Sequence, residues 1–590
     1  MDSPPNKVLV IVVAIIVIIA GISAVILTNL EKVQEFYENI IDKDERDGKD
    51  EWEDSNGPDS PDDHPGISKP ISQMLKRILS SSSGRKIGSQ TTVVSSNSEF
   101  FSLIGTPIAI DYQGTTMEAS PLLVSSGASS KFLEVYNATN IITLGDVGGV
   151  STNLQFSGDE KSASLNAAEN IWSYSSGALI IEKNKNGYEL GVAATVLASY
   201  LNIPIIVTNT LDSAVQQTLS KLGVSYTIIC GNVNGYGETY YLSSLDEVYD
   251  LSLGFLKERF GRVSYITITN SEDVSSQYGI SKISCLAAYL SSFYEGVVLN
   301  CPQPRLSSSI FQDSDEKIEQ AANEANLCIK TDLEKLLGKL KNQGLYANYL
   351  NATPYLAILG DPYSIPFYYF KNPNPSTSTQ SDDAWVATDD YYANLDNESH
   401  QIELAPARVL ALSVGGVSAL ISRSLFYNDY IKGWKADSTM SEAKNAEWKD
   451  TAYAAKGDDW NGAMWVMTPD YWYEVNYLQS KGYTVHTTQR RATGATVSQD
   501  ILCYYSSSSM IYVMAHGSAD SYQMTDGVES SDVRNWDMGP SVQILTSCSA
   551  GRTDVPDIEN TISLTFIEVG VNAYIGGSRT ESSADSPALS

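Results

Sequence analysis

Residues 507–520 read SSSMIYVMAHGSAD and residues 541–552 read SVQILTSCSAGR. Each is a short apolar run that stops abruptly at small polar residues, the pattern of a strand buried on both faces. The first run delivers His516-Gly517-Ser518 into a loop, and the second delivers Cys548-Ser549-Ala550-Gly551. The interval between them leaves room for one connection and the next strand. If the two strands are parallel neighbours, about 4.8 Å apart, imidazole and thiol open onto one crevice at the carboxyl ends of a sheet. Ligands of open α/β sheets collect there.

That pairing is a nucleophile with a base. Cysteine reacts as the thiolate, and a nearby imidazole both accepts the proton and returns it to a leaving amine. Small neighbours admit a substrate backbone, and they leave the N–H groups of Gly517 and Cys548 as donors to a developing oxyanion. A lone cysteine at a strand end is most often a small buried hydrophobe, so the case for Cys548 rests on His516. Of the four histidines, His64 lies in an acidic stretch, and His400 and His486 lack a strand-to-glycine context.

Upstream the same alternation of β-branched runs and helical stretches continues, in NIITLGDV (140–147), SASLNAAENIWSY (162–174), GALIIEKN (177–184), GYELGVAATVLASYLN (187–202) and IPIIVTN (203–209). This is an α/β class with parallel strands. One strand–helix–strand unit recurs, at 178–209 and again at 265–301. A third α/β region opens with YLAILGDPYSIPF (355–367), whose strand ends at Gly360-Asp361. Asp361 therefore stands at a ligand-gathering position, although Asp after Gly is also a common turn and helix-cap residue.

Val8 to Leu30 is 23 residues without a charge, long enough at about 1.5 Å per residue to cross a hydrocarbon core of about 30 Å. It shows no polar stripe and exceeds the apolar length of a cleaved signal peptide, about 7–15 residues. An uncleaved anchor is expected. Lys7 is the only basic residue ahead of it, and the following flank is acidic, which places the amino terminus in the cytoplasm and the bulk of the chain outside. Residues 31–69 hold 14 acidic and 5 basic side chains and read as a flexible stalk. A net charge of −31, from 39 basic and 70 acidic residues, excludes a nucleic-acid binder. The expected layout is a cytoplasmic tail (1–7), a transmembrane anchor (8–30), an acidic linker (31–90), an α/β repeat domain (91–340) and a second α/β domain (345–590). Asn137, Asn351 and Asn397 open glycosylation sequons. Cys285, Cys301 and Cys328 are candidates for pairing, and Cys230 and Cys503 for burial.

GVAATVLASYLNIPIIVTNT (191–210) followed by LSKLGVSYTIICGNV (219–233) is similar to the cell wall-binding repeat 2 family over about residues 140–300. The resemblance implies the fold; a cell-envelope polymer as ligand sits poorly with an acidic chain. From about 345 to 590 the order of motifs resembles the gingipain-type cysteine peptidases, in the clan that also holds caspases, legumain and clostripain. LGDPYSIPF (359–367) resembles their "iGD…iP" strand, and ATDDYYANLD (387–396) with ELAPARV (403–409) their "SD..Y…GR" stretch. MAHGS (514–518) resembles "GHGS", the Cys548 strand follows, and TISLTFIEVGVNAYIGGSRTES (561–582) resembles the closing helix and strand. This implies a caspase-haemoglobinase-like α/β sandwich and endopeptidase activity on protein or peptide through a thioester. Ser547 precedes the cysteine where the clan has Ala or Gln. An acid in the primary pocket would favour Arg or Lys, and Asp470, in MTPDYWYEV (467–475), lies near the family's position for it, while also reading as a helix cap. Ser578, in the Gly577-Ser578-Arg579 loop, is a further candidate substrate-binding residue. The chain stops soon after, at Ser590, where relatives continue, so an incomplete pocket is expected. Relatives bind calcium, but no EF-hand spacing occurs here and DVPDIEN (554–560) reads as ordinary loop. A non-catalytic surface protein that keeps the fold is the competing expectation.

Overall fold

The computed structural model describes residues 69–579 apart from 276–278, 314, 373–374, 376–383, 397–400, 435–444, 458–467, 490–503 and 525–526. The expected anchor at 8–30 and stalk lie outside the described residues. No described helix is long and apolar enough to cross a membrane.

Four parallel sheets carry the fold. The first contains β1 (Thr91–Val94), β2 (Leu122–Val124), β3 (Ile141–Leu144) and β4 (Leu154–Phe156), in the order β2-β1-β3-β4. The second contains β5 (Gly177–Ile181), β6 (Ile205–Val207), β7 (Tyr226–Cys230) and β8 (Glu238–Leu242), ordered β6-β5-β7-β8. In the third, β9 (Tyr265–Thr269), β10 (Val297–Asn300), β11 (Tyr355–Leu359) and β12 (Ala405–Arg408) run β10-β9-β11-β12. The fourth holds β13 (Thr451–Lys456), β14 (Thr484–Gln489), β15 (Met510–Met514), β19 (Val542–Thr546) and β20 (Ala573–Gly576), ordered β14-β13-β15-β19-β20. Between β15 and β19 the chain makes a small antiparallel sheet of β16 (His516–Gly517), β17 (Ser521–Gln523) and β18 (Gly527–Glu529).

Every sheet thus winds its first strand inward, its second to the edge and its third to the other side. The repeated unit seen at 178–209 and 265–301 is the first two strands of the second and third sheets. Its helices, α3 (Lys185–Leu201) and α5 (Ala287–Phe293), are buried along almost their whole length. Alanine, serine and glycine make this possible, because small side chains let a helix lie close against sheets and other helices.

Two expected boundaries fall elsewhere. Residues 69–90 belong to the expected linker, yet α1 (Lys69–Leu79) buries Ile71, Met74, Leu75 and Ile78, the apolar stripe of an amphipathic helix. It packs on α4 (Leu245–Phe260). The strand Ser83–Arg85 then pairs with Trp172–Ser175, and Arg85 is buried in an ion pair with Asp111. The division between 91–340 and 345–590 falls inside the third sheet, where β9 pairs in parallel register with β11, Tyr265 against Tyr355. The described residues belong to one compact unit. The helix joining the two halves of that sheet, α6 (Asp315–Asn342), is exposed on one side and reads as a connector, although its strands share one core.

Cys230, Cys285, Cys301 and Cys328 are free thiols, so no disulfide links the three candidates. Cys285 and Cys301 are buried and Cys328 is exposed; burial pushes the Cys285 thiol up to about 12. Cys503 lies outside the described residues.

Candidate active site

β15 and β19 are parallel neighbours. Met510 pairs with Val542 and Met514 with Thr546, and Ala515 N–H donates to the Thr546 carbonyl at 3.1 Å. His516 and Cys548 each lie two residues beyond the last pair, at the same carboxyl edge and in the same register. Ile511, Val513 and Leu545 are fully buried, which pins that register. His516 is exposed and Cys548 half-buried.

The two loops touch. A Cβ built on Gly517 would lie 2.2 Å from Ser547 Oγ and 2.9 Å from the Ser521 carbonyl, so only glycine fits between the histidine hairpin and the cysteine loop. Ser547 Oγ is buried and without a hydrogen-bond partner. In the hairpin, Ser518 N–H donates to the Ser521 carbonyl at 2.9 Å. Alternate residues of an antiparallel pair turn their N–H away from the partner strand, which leaves that of Gly517 directed off the β17 side.

On the other side the cysteine loop leans on the end of β20. Ser549 has φ 55°, the left-handed region that a non-glycine residue enters at a cost. Its N–H donates to the Arg579 carbonyl at 2.9 Å, and Gly551 N–H to the Gly577 carbonyl at 2.8 Å. Tyr574 Oη donates to the Ala550 carbonyl at 3.1 Å. Ser578 is half-buried between these contacts, and its carbonyl accepts from Arg579 Nη1 at 2.6 Å.

Of the other expected site residues, Asp470 is the third residue of α8 (Thr468–Ser480), which crosses from β13 to β14 and so begins at the same edge of the sheet. Asp361 sits on the third sheet and is fully buried. Its oxygens accept from Arg305 Nη2 at 2.7 Å, from Ile280 N–H at 2.6 Å and from Ser364 N–H at 2.9 Å, the arrangement of an ion-paired turn. The structure does not bring it to the pair.

Sequence reading missed Asp554. It is fully buried and accepts from Arg579 Nη2 at 2.6 Å and Nη1 at 3.2 Å, Arg552 Nε at 3.3 Å, and Tyr369 Oη at 2.5 Å. Burial alone would raise this carboxyl, but Arg579 and Arg552 outweigh that and hold it below the ordinary range. The signal was available: opposite charges follow two strands that close the same sheet. Asp554 is also the first residue of the stretch weighed for calcium, and its oxygens are spent on arginine. Among the described residues no group of three or more His, Cys, Asp or Glu could hold a metal ion.

Two motifs upstream converge on this region. Arg408 donates to both Asp389 oxygens, at 2.9 and 2.6 Å, and to the Gly360 and Ile365 carbonyls at 2.8 and 2.9 Å. The loop so held carries Tyr363, whose hydroxyl reaches the Val555 and Pro556 carbonyls at 2.9 and 3.0 Å.

Fold and edge together define an open parallel α/β protein with an imidazole and a thiol on neighbouring strand ends. Residues 338–588 match the family model of peptidase family C25. Three solved structures match. One, described as a protease, is 17% identical, with 55% of this chain and 61% of the other covered and a TM-score of 0.35. The Arg specific cysteine proteinase gingipain R is 13% identical, covering 54% and 63%, with a TM-score of 0.32. Cwp6 from Clostridium difficile is 13% identical, covering 78% and 63%, with a TM-score of 0.30. The chain thus spans less than two thirds of the length of each. No curated protein matches it.

Proposed function

We propose that this chain is a membrane-anchored, extracytoplasmic cysteine endopeptidase. The observation that carries the reading is the parallel pairing of β15 with β19, which sets His516 and Cys548 at equal register on one edge. The family match of the segment supports it.

In the proposed reaction His516 takes the Cys548 proton and the thiolate attacks the scissile carbonyl carbon. The N–H groups of Gly517 and Cys548 donate to the oxyanion. Collapse breaks the C–N bond, His516 returns the proton to the leaving amine, and a thioester remains. Water, deprotonated by the same imidazole, hydrolyses the thioester and regenerates the thiol. Asp470 and the Ser578 loop are the proposed walls of the primary pocket, with Arg or Lys as the favoured residue before the cleaved bond. The outside location is supported by the apolar span Val8–Leu30 and by the exposure of the sequon residues Asn137 and Asn351.

Iodoacetamide or an acyloxymethyl ketone tests the chemistry. Selective modification of Cys548, lost in Cys548→Ala and slowed in His516→Ala, together with hydrolysis of casein, is the expected result. No selective modification of the folded protein would sink the enzyme reading and leave a surface-binding protein. A membrane-impermeant maleimide tests the location: Cys328, which is exposed, should be labelled in intact cells.

A further inference from the structure

The buried ion pair behind the cysteine loop has no part in the reaction proposed above. Asp554 and Arg579 side chains are 1% and 5% exposed. Burying two charges is costly, and replacing such a pair with apolar side chains is often neutral or stabilising, so stability alone is a poor account of it. The pair closes a short circuit around the nucleophile. Asp554 lies six residues after Cys548 and holds the guanidinium of Arg579 through both terminal nitrogens, at 2.6 and 3.2 Å. The carbonyl of Arg579 receives the N–H of Ser549, the residue next to Cys548, at 2.9 Å. Ser549 is the residue in the left-handed region. A strained backbone persists only where its surroundings over-determine it, and this hydrogen bond is one of the constraints holding it.

We propose that Asp554 and Arg579 are positioning residues for the nucleophile. Asp554 fixes Arg579, the Arg579 carbonyl fixes Ser549, and Ser549 fixes the direction of the Cys548 side chain and N–H. Tyr369, from the strand Tyr368–Lys371, orients the carboxylate by donating to it. The circuit ties the loop after β19, which carries the thiol, to the loop after β20. The proposal rests on the peptidase reading, because it gives the pair a purpose only if Cys548 reacts.

The test compares the intact protein with Asp554→Asn and Arg579→Lys. The first keeps size and removes the charge; the second keeps a cation but loses the fork that grips both carboxylate oxygens. Three quantities are read: kcat and KM on casein-derived peptides, the pH midpoint of Cys548 alkylation by iodoacetamide, and the melting temperature. With Cys548 misdirected, kcat should fall about ten- to a hundredfold, with KM within about twofold and a shifted alkylation midpoint. A purely structural role would lower the melting temperature and leave the kcat of the folded fraction and the midpoint alone. If Asp554→Asn does not fold, Arg579→Lys carries the same comparison. Wild-type kcat and midpoint in the folded variants overturn the proposal. Failure of the unmodified protein to react selectively at Cys548 overturns the peptidase reading, a result distinguishable because it needs no variant.

Discussion

Gly517→Ala isolates the contact between the two halves of the proposed dyad. The new methyl would stand 2.2 Å from Ser547 Oγ, 2.9 Å from the Ser521 carbonyl and 3.3 Å from Tyr522 Cβ. Non-bonded heavy atoms settle near about 3.5 Å, so relief needs a shift of roughly 1 Å between the histidine hairpin and the cysteine loop. The β15–β19 ladder ends just before this point and does not resist such a shift. A misplacement of about 1 Å between reacting groups costs on the order of a hundredfold in rate, or about 2.7 kcal/mol in the barrier. The assay is the second-order rate of Cys548 alkylation beside kcat on casein-derived peptides, with the melting temperature as a folding control. Ser547→Ala supplies the internal check. Its hydroxyl is buried without a partner, so its removal should leave activity unchanged or better and raise stability by up to about 1 kcal/mol. In the double variant the closest obstacle is gone while the Ser521 carbonyl remains, and activity should recover by about tenfold over Gly517→Ala, a coupling only touching residues show. Wild-type activity in Gly517→Ala, or no recovery in the double variant, would refute the placement of the two loops.

Three further outcomes follow from particular side chains. Asp273 is buried at 2% exposure, and desolvation pushes its carboxyl up to about 7 against the bonds it accepts from Ser284. Its folded pKa lies above its unfolded value, so its contribution weakens as pH rises from about 4 to 7. Asp273→Asn should remove that slope and leave the variant more stable than wild type at pH 8 by about 2–4 kcal/mol, as read by urea melts at pH 5 and 8. Ser549→Val places a β-branched residue at φ 55° and should destabilise by about 2 kcal/mol and slow Cys548 alkylation. Ser549→Gly should keep both, and equal behaviour of the two variants would contradict the loop conformation. Asp361→Asn strips the counter-charge from Arg305, whose side chain is 10% exposed, and should cost about 3–5 kcal/mol with KM unchanged. A rise in KM at full stability would instead make Asp361 a substrate residue.

The sequence carried two strands of the fourth sheet and the His516 and Cys548 loops that follow them, because both strands lie in continuous apolar runs, MIYVM and VQILT, whose termination is abrupt. Periodicity needs no partner to be read. What it cannot carry is pairing between distant segments. The third sheet joins β9 to β11 across α6, a helix of 28 residues with a half-exposed surface, and such a helix looks the same in sequence whether it links two domains or two strands. The strand Ser83–Arg85 is hidden likewise, because Arg85 in a serine-rich stretch looks like linker until Asp111 is placed beside it. The motifs at 359–367 and 387–409 matched as strings, while the reason they belong together is one guanidinium, that of Arg408, bonded to both.

Asp361 and the His516–Cys548 pair both stand at the carboxyl ends of parallel strands, and in open sheets ligands gather at such ends where the winding reverses. The structure separates them by what fills the reversal point. In the third sheet that point lies between β9 and β11. There Asn270 donates to the Gln303 and Ser364 carbonyls, at 2.9 Å each, and the Asp361–Arg305 pair fills the remaining space. In the fourth sheet it lies between β13 and β15. Gly457 N–H there donates to the Met514 carbonyl at 2.7 Å, and a Cβ on Gly457 would strike the Gln523 carbonyl at 2.4 Å. The hairpin that carries His516 therefore closes its own switch point. The open edge moves one strand along, to β15 and β19, where the loop residues Gly517, Ser549 and Gly551 are small. A strand end marks a place where chemistry is possible; whether it stays open depends on the loop that crosses it, and in this chain the crossing loop also carries His516, the proposed base.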